Sequence, residues 1–333
     1  MHVVAAVDHF GPETPAVDVA RAVSIGAQLA GWTCRQAPMS DGGPGLLSAV
    51  GRQNRRTLVM GPLGDPVEVP WILMARTAII EAALASGLPL LTDGVNGNDP
   101  IAAGTHGVGE LILAAVEAGA KRVVVGVGGT ASTDGGLGAI RAVFAPTRLK
   151  GVRLIVAYDA VSLFRDAADA SPAKGASTAQ MKLLRRRLER LVQVYRDQYG
   201  VDVSEAEGAG AGGGLAGGLL ALGGELRAGA EVVADEVDVA SHIETADLVI
   251  TGETFLDAHS LSHGVVGTVR ALADLAGVPC CALATASFDQ VDDHMPVLRV
   301  DGKAVLASIA ESVYAYLSDY KIQTAESKPN QPG

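Results

Sequence analysis

The stretch VVVGVGGTASTDGGLGAI, residues 123–140, decides the fold class of this chain. Three β-branched residues lead into a loop with six glycines and three hydroxyl side chains, and a helical pattern follows the loop. A buried strand, a Gly-rich turn and a helix in this order form the repeating unit of α/β proteins with parallel strands. We therefore predict an α/β fold built on a parallel sheet.

The same alternation continues on both sides of this stretch. Short apolar runs that end in Gly or Asp predict strands at 3–7, 58–60, 122–127, 154–158, 248–251 and 280–284. Longer periodic runs predict helices at 16–30, 77–85, 108–118, 178–195, 265–276 and 303–317. The Gly-rich segment 208–226 contains several leucines, which favours a packed loop and helix over a flexible linker. The polar end of the chain, residues 321–333, is expected to be a disordered tail.

Size, charge and composition restrict the classes of protein that this chain can belong to. A chain of 333 residues with 48% hydrophobic residues is expected to form two domains with sizeable cores. The net charge of −11 argues against a nucleic-acid partner, because such binding requires clustered Lys and Arg. The sequence shows neither a signal-peptide pattern nor an uncharged apolar stretch of membrane-spanning length. We therefore expect a cytoplasmic protein that has no membrane partner.

Acidic residues follow several of the predicted strands. Because ligands of open α/β sheets bind outside the carboxyl ends of the strands, these residues are site candidates. The candidate catalytic residues are Asp8, Asp41, Glu253 and Asp257, and Asp159 is a candidate for substrate binding. Helix capping remains an alternative for Asp8 and for the segment with Glu253 and Asp257. A plain Asp-Gly turn remains an alternative at residues 41–43. Glu253 and Asp257 follow one strand, an arrangement suited to Mg²⁺ or to a substrate hydroxyl.

The glycine loop itself predicts an anion site. Backbone N–H groups near a helix start, together with hydroxyl donors, can bind phosphates. The candidate phosphate-binding residues are Gly128, Gly129, Thr130, Ser132 and Asp134 of this loop, with Gly42 and Gly43 of the loop that follows Asp41. The segment GVGGTA, residues 126–131, also fits a dinucleotide fingerprint, so an NAD-linked oxidoreductase is a less favoured alternative.

Taken in order, these loops resemble the glycerate kinase family over residues 1–310. The resembling segments are TAIIEAALASGL (77–88), THGVGELILAAVEAGAKRVVVGVGGTASTDGGLG (105–138), AEGAGAGGGLAGGLLALGGELRAGAEVV (206–233) and ADLVITGETFLDAHSL (246–261). The resemblance implies a flavodoxin-like α/β domain, residues 1–65 with 240–320, and a second α/β domain inserted into it, residues 66–239. It also implies transfer of a phosphoryl group from ATP to a hydroxyl of D-glycerate or a related hydroxy acid. Mg²⁺ is the expected metal, and the protein can form a homo-oligomer. The resemblance also implies that the helix predicted within residues 77–88 contains the family's Glu.

The same resemblance implies roles for individual residues. Lys174, in SPAKGAS, falls where the family's QKGA lysine lies and is expected with Asp159 to bind substrate. Asp134 and Glu253 are the expected Mg²⁺ ligands.

Several family motifs are changed in this chain. Gly11 stands where the motif DSFKG has Lys, Pro44 where DGGEGT has Glu, and Phe255 where GEGRLD has Arg. The motif DxDNP is DAVSL at 159–163, and no Lys follows the His-Gly pair at 263–264. Two hypotheses therefore stand: an active kinase of a small hydroxy acid, or a catalytically impaired member that acts as a binding or regulatory protein.

Overall fold

A computed structural model of the protein describes residues 1–287 and 295–326. The strands are β1 His2–Val7, β2 Thr33–Gln36, β3 Arg55–Met60, β4 Pro66–Met74, β5 Thr77–Glu81, β6 Arg122–Gly126, β7 Arg153–Tyr158, β8 Glu225–Ala228, β9 Leu248–Gly252, β10 Phe255–Leu256, β11 Cys280–Ala284, β12 Ala286–Ser287 and β13 Val297–Arg299. The α-helices are α1 Ala16–Leu29, α2 Leu46–Val50, α3 Ala83–Ser86, α4 His106–Glu117, α5 Leu137–Val143, α6 Thr178–Tyr199, α7 Leu215–Ala221, α8 Gly229–Glu236, α9 Val239–Ile243, α10 Ala258–Ser262, α11 Val265–Ala276 and α12 Val305–Glu326. Short 3-10 helices cover Leu88–Leu90, Pro146–Leu149, Phe164–Lys174 and Ala211–Gly214. The predicted α/β fold class is confirmed.

The chain divides into two compact units, and the second interrupts the first in sequence. Unit 1 comprises residues 1–40, 48–50 and the described residues from 233 onward, and unit 2 comprises residues 41–47 and 51–232. The predicted first domain extended to residue 65, yet β3 pairs with β4 in the sheet of unit 2. The hydrogen bonds of this antiparallel pair hold β3 and β4 in one sheet, so β3 is described with unit 2, and the domain bounds stay a prediction.

Unit 1 is built on a five-stranded parallel sheet in the order β13-β11-β9-β1-β2. Counted within the unit, this is the order 2-1-3-4-5 of flavodoxin-like folds. The central strands are almost fully apolar and buried, as expected when helices cover both faces of a parallel sheet. On one face α1 packs against α12 at Gly26, where an added Cβ would lie 2.9 Å from Cβ of Val313.

Unit 2 is built on a six-stranded sheet in the order β3-β4-β5-β6-β7-β8. The pairs β3/β4 and β4/β5 are antiparallel, whereas β5, β6, β7 and β8 run parallel. A large apolar core lies against this sheet and includes the buried side chains of Leu111, Phe164 and Leu215. The carboxyl ends of the four parallel strands consequently lie along one edge of the sheet.

The helix that was predicted for residues 77–85 is wrong. Thr77–Glu81 forms β5, and only Ala83–Ser86 is helical. Ala78, Ile79 and Ile80 are fully buried between β4 and β6, so tertiary pairing outweighs a pattern that is compatible with a helix.

The Gly-rich segment at 208–226 is packed, as predicted. It contains a 3-10 turn and α7, whose residues Leu215 and Leu219 are fully buried. An added Cβ on Gly218 would lie 2.7 Å from the backbone of Gly136, so glycine allows this helix to contact the 123–140 loop closely. The Gly-rich segment therefore packs against the 123–140 loop and supports it.

The end of the chain differs in part from the expected disordered tail. The backbone of α12 continues to Glu326, so residues 321–326 are helical. Residues 327–333 lie outside the described residues, and so do residues 288–294. In the described parts of the chain, no helix combines the length and apolarity needed to cross a bilayer.

Candidate functional site

The parallel strands of unit 2 bring several predicted site loops to one edge. Glu81 at the end of β5 pairs with Gly126 of β6, and Gly126 pairs with Ala157 of β7. The glycine loop therefore leaves the sheet beside the chain that continues to Asp159. This register explains why loops that are distant in sequence meet.

Asp159, Gly128 and Gly43 are packed against one another at this edge. An added Cβ on Gly128 would clash with the Asp159 carboxylate and would lie 2.7 Å from Cα of Gly43. An added Cβ on Gly129, whose φ is +73°, would lie 2.6 Å from Cγ of Pro44. The glycines that were predicted to approach a ligand thus also allow close contact between three protein loops.

Lys174 places a cation at the same edge. Its Nζ donates a hydrogen bond of 2.6 Å to the carbonyl oxygen of Ser132 and contacts Oγ1 of Thr130 at 3.4 Å. Burial of the ammonium group lowers the pKa of Lys174 to about 8, although the charges of Asp159 and Asp134 counteract this effect. The structure therefore brings together Lys174 and Asp159, the two predicted substrate residues.

Asn98 fixes this lysine in place and was missed by sequence reasoning. Its side-chain amide donates to the carbonyl oxygens of Lys174 and Ala131, at 2.8 Å and 3.1 Å. One side chain thereby connects the end of the 3-10 helix at 164–174 to the glycine loop. No sequence signal marks Asn98, because it lies in a polar turn-rich segment far from both partners.

The hydroxyl side chains of the glycine loop are buried. Thr130, Ser132 and Thr133 are 3%, 0% and 1% exposed. Oγ of Ser132 and Oγ1 of Thr133 have no hydrogen-bond partner among the described residues. Direct binding of phosphate by these hydroxyls would require the loop to open, so that role stays a prediction.

Asp134 organises the loop through its carboxylate. Its oxygens accept hydrogen bonds from the backbone N–H groups of Thr105, Gly136 and Gly138 and from the hydroxyl of Thr105, with lengths of 2.9–3.2 Å. A carboxylate with both oxygens engaged in this way is poorly suited to a metal or a phosphate. Binding of Mg²⁺ or phosphate by Asp134 therefore stays a prediction.

Glu81 is the glutamate that the resemblance placed in segment 77–88, and its contacts were not predicted. The buried carboxylate accepts hydrogen bonds of 3.1 Å from the backbone N–H groups of Gly45 and Leu47. Burial raises the pKa of Glu81, while these two hydrogen bonds lower it in part. A charged residue at the end of the apolar run TAIIE is the local signal for it in the sequence. Glu81 therefore holds the loop that contains Asp41, Gly42 and Gly43.

Asp41 forms the turn of that loop. Its Oδ1 accepts a hydrogen bond of 2.9 Å from the backbone N–H of Gly43. Gly42 has a φ of +92°, and an added Cβ there would lie 2.9 Å from the carbonyl oxygen of Ala157. The turn thus requires glycine and lies against the end of β7, while catalysis by Asp41 stays a prediction.

In unit 1, Asp8 is buried at the end of β1 and paired with the next residue. Its Oδ1 accepts from the backbone N–H of His9 at 2.6 Å and lies 2.9 Å from Nδ1 of the same histidine. The backbone N–H of Asp8 donates to the carbonyl oxygen of Gly252 at 2.9 Å. This bond fixes the loop after β1 beside the loop after β9.

Glu253 follows β9 and is the most perturbed acid of unit 1. Burial raises the pKa of Glu253 to about 7; the charges of Asp8 and Asp257 raise it further, while Ser260 and His9 act in the opposite direction. Its Oε1 is buried and has no hydrogen-bond partner within the described residues. A carboxylate with this pKa at the carboxyl end of a strand is a candidate acid, base or cation ligand.

Asp257 caps a short helix. Its Oδ1 accepts a 2.9 Å hydrogen bond from the backbone N–H of Ser260 at the start of α10, and Oγ of Ser260 accepts from the N–H of Asp257. These bonds lower the pKa of Asp257, with the Ser260 N–H as the main cause. The capping alternative is thus observed, and a catalytic role for Asp257 stays a prediction.

Two observations concern the predicted metal and the NAD-linked alternative. Among residues 1–287 and 295–326, no group of three or more His, Cys, Asp or Glu side chains could hold a metal ion. After GVGGTA the next helix, α5, begins only at Leu137, so the fingerprint does not lead directly into a helix N-terminus. This geometry disfavours the NAD-linked alternative, whose pyrophosphate would bind at such a terminus.

This chain is similar to several known proteins. The profile of the Glycerate kinase family matches residues 3–148 and 144–319. An uncharacterised protein of Mycobacterium bovis is 37% identical, covering 93% of this chain and 84% of its own length. Glycerate 2-kinase of Escherichia coli is 34% identical over 80% of both chains. A crystal structure of a Salmonella typhimurium LT2 protein named as glycerate kinase 2 has a TM-score of 0.81 at 26% identity, covering 98% of this chain and 99% of that chain.

Proposed function

The chain belongs to the glycerate kinase family, and we propose that it transfers the γ-phosphoryl group of ATP to a hydroxyl of D-glycerate or a closely related hydroxy acid. The observation that carries this proposal is the position of Lys174. A lysine ammonium beside Asp159 at the carboxyl edge of the unit 2 sheet suits an acceptor that has both a carboxylate and hydroxyls. Such an acceptor offers the anion for the lysine and the donors for the aspartate.

The groups of unit 2 would bind and orient the acceptor. Lys174 would pair with its carboxylate, and Asp159 would accept a hydrogen bond from one of its hydroxyls. Asp41 and the glycines beside it complete this edge, and Glu81 holds them in place through two backbone bonds. Orientation of this kind supplies a large part of the rate in phosphoryl transfer, because the chemistry itself needs little covalent help.

The acids of unit 1 fit the Mg²⁺ that accompanies ATP. Glu253 offers a buried oxygen with no partner among the described residues, and Asp8 lies near enough to raise the pKa of Glu253. Mg²⁺ commonly binds through one or two protein carboxylates together with substrate phosphates. When bound, it would neutralise charge that develops on the transferred phosphoryl group.

The decisive experiment is a coupled ADP-release assay with ATP, Mg²⁺ and D-glycerate. We expect ADP release that requires D-glycerate and that falls strongly in Lys174→Met, with Lys182→Met as the matched control. Lys182 is an exposed lysine of α6. The proposal fails if D-glycerate and related hydroxy acids stimulate no ADP release by the wild type, or if both variants match the wild type.

A catalytically impaired family member is the second candidate. Phe255 is 47% exposed, and it stands where the family motif has Arg. Gly11 stands in place of the motif's Lys, and its φ of +88° fits glycine. Specific binding of ATP and D-glycerate by calorimetry, without turnover, would support this candidate over the active kinase.

A further inference from the structure

A cavity of about 540 Å³ lies within unit 2. Its walls come from the turn between β3 and β4, from residues 101–106, from the first turns of α5 and from one residue of α6. This volume falls in the range of small-molecule sites. The described contacts assign it no ligand and no role in the acceptor site.

The cavity is lined by cations that have little internal compensation. Arg141 of α5 has no hydrogen bond and no ion pair to any residue in the described ranges, and its side chain is exposed. Arg187 of α6 uses Nη1 to donate a 2.9 Å hydrogen bond to the carbonyl oxygen of Ile101, which leaves the rest of its guanidinium fork available. Two guanidinium groups at one cavity favour a polyanion, especially a phosphate chain.

The carboxylates nearby are already occupied. Both oxygens of Asp134 accept hydrogen bonds within the loop. Glu110 accepts a 2.7 Å bond from the backbone N–H of Met60 and lies 3.7 Å from Nε2 of His106. The charged side chains that line the cavity are thus two arginines and one aspartate, a net positive lining in a chain with a net charge of −11.

The remaining walls are apolar. Met60, Leu63, Ile101 and Leu137 line the cavity together with the two arginines. An apolar surface of this kind suits an aromatic ring, whereas inorganic phosphate or a small hydroxy acid would leave it unused. The combination of apolar walls with two guanidinium groups matches a nucleobase joined to phosphates.

From these observations we infer that the cavity between the β3–β4 turn, α5 and α6 binds a nucleoside polyphosphate, with Arg141 and Arg187 as the phosphate-binding side chains. The inference rests on the proposed kinase function for its choice of ATP as the physiological ligand. It places the phosphates in a cavity that Asp134 lines, and not on the buried hydroxyls of residues 130–133, which do not line it. Arg187 lies in the basic run KLLRRRLER, residues 182–190 of α6.

The test is calorimetric titration of the full chain with ATP in the absence of acceptor. We compare Arg141→Gln and Arg187→Gln with Arg186→Gln, which removes an exposed arginine of the same helix that does not line the cavity. Each of the first two should weaken ATP binding by about tenfold or more, and the control by less than about twofold. Thermal unfolding of each variant checks that the loss of the Arg187 bond to Ile101 does not unfold the protein.

Ligand fragments distinguish a nucleotide site from a general anion site. ATP should bind more tightly than tripolyphosphate, and both should be weakened in Arg141→Gln. Equal affinity of ATP and tripolyphosphate, or wild-type ATP affinity in both arginine variants, would overturn the inference. ADP release stimulated by D-glycerate, together with unchanged ATP affinity in these variants, would leave the kinase function standing and remove only the cavity assignment. ATP binding that depends on the two arginines, without turnover, would leave the cavity assignment standing and remove the kinase function.

Discussion

Nζ of Lys174 lies 2.6 Å from the carbonyl oxygen of Ser132, so a lysine at the end of one 3-10 helix is hydrogen-bonded to a loop that begins forty-eight positions earlier, at residue 126.

Lys174→Met keeps the length and apolar volume of the stem while it removes the charge. We expect D-glycerate affinity to fall by about 10- to 100-fold, because a charged hydrogen bond is lost. Calorimetry with D-glycerate measures this, and Lys182→Met should bind like the wild type.

The pKa of the same lysine predicts the basic limb of the pH profile. Since burial lowers the pKa of Lys174 to about 8, the ammonium loses its proton as the pH rises through this value. kcat/KM for D-glycerate should therefore decline above about pH 8, and KM should carry most of the change. A profile that stays flat to pH 9.5 in the wild type would show that this ammonium does not bind the substrate.

Glu253 predicts a pH-dependent stability. Its pKa is about 7 in the folded protein and near 4.5 when unperturbed, so between these values the unfolded chain releases a proton that the folded chain keeps. The folded state consequently loses stability as the pH rises from 4.5 to 7. Glu253→Gln should remove this loss, on the order of 2 kcal/mol at pH 8 relative to pH 5.

Urea unfolding of Glu253→Gln and of the wild type at pH 5 and pH 8 checks this difference. Glu244→Gln, an exposed glutamate of unit 1, is the control and should show no pH-dependent gain. A constant offset between Glu253→Gln and the wild type at both pH values would contradict the elevated pKa.

Glu81→Ala should destabilise unit 2 and disturb the Asp41 turn. The backbone N–H groups of Gly45 and Leu47 would lose their acceptor in a buried environment, which costs about 1–3 kcal/mol for each group. Urea unfolding measures the loss. Glu68→Ala, which removes an exposed ion pair with Arg56, should cost less than about 1 kcal/mol and serves as the control. Similar stabilities for the two variants would contradict the anchoring role of Glu81.

Phe255→Arg should strengthen acceptor binding if the changed family motifs weaken the site. Phe255 is 47% exposed, so an arginine can be placed there without disrupting the core. We expect D-glycerate affinity to rise by about tenfold while ATP affinity stays the same, since each charged hydrogen bond contributes about 1.5–3 kcal/mol. Leu275→Arg, at an 86% exposed position, controls for the added charge. An unchanged D-glycerate affinity in Phe255→Arg would contradict the hypothesis that the loss of the family's cations weakens acceptor binding.

The site was predictable only in its parts. Asp8, Asp41, Asp159 and Glu253 could be chosen as candidates from the acidic or Gly-rich loops that contain them, and their roles stay predictions. Their contacts could not be predicted, since the bond from Asn98 to the carbonyl of Lys174 joins residues 76 positions apart. The capping of α10 by Asp257 was an open alternative in the sequence, and only the bond to Ser260 showed that it forms.

The sequence by itself determined the α/β class, the longest helices, several of the buried strands, the packed Gly-rich segment and the family, because these depend on local patterns and on ordered motifs. Tertiary structure decided that Thr77–Glu81 is a strand, since β4 and β6 pair with it on both sides. It also decided that the hydroxyls at 130–133 are buried and that Arg141 and Arg187 line one cavity. The physical reason is that burial, hydrogen-bond partners and pKa depend on atoms brought together by folding, which no local pattern of residues specifies.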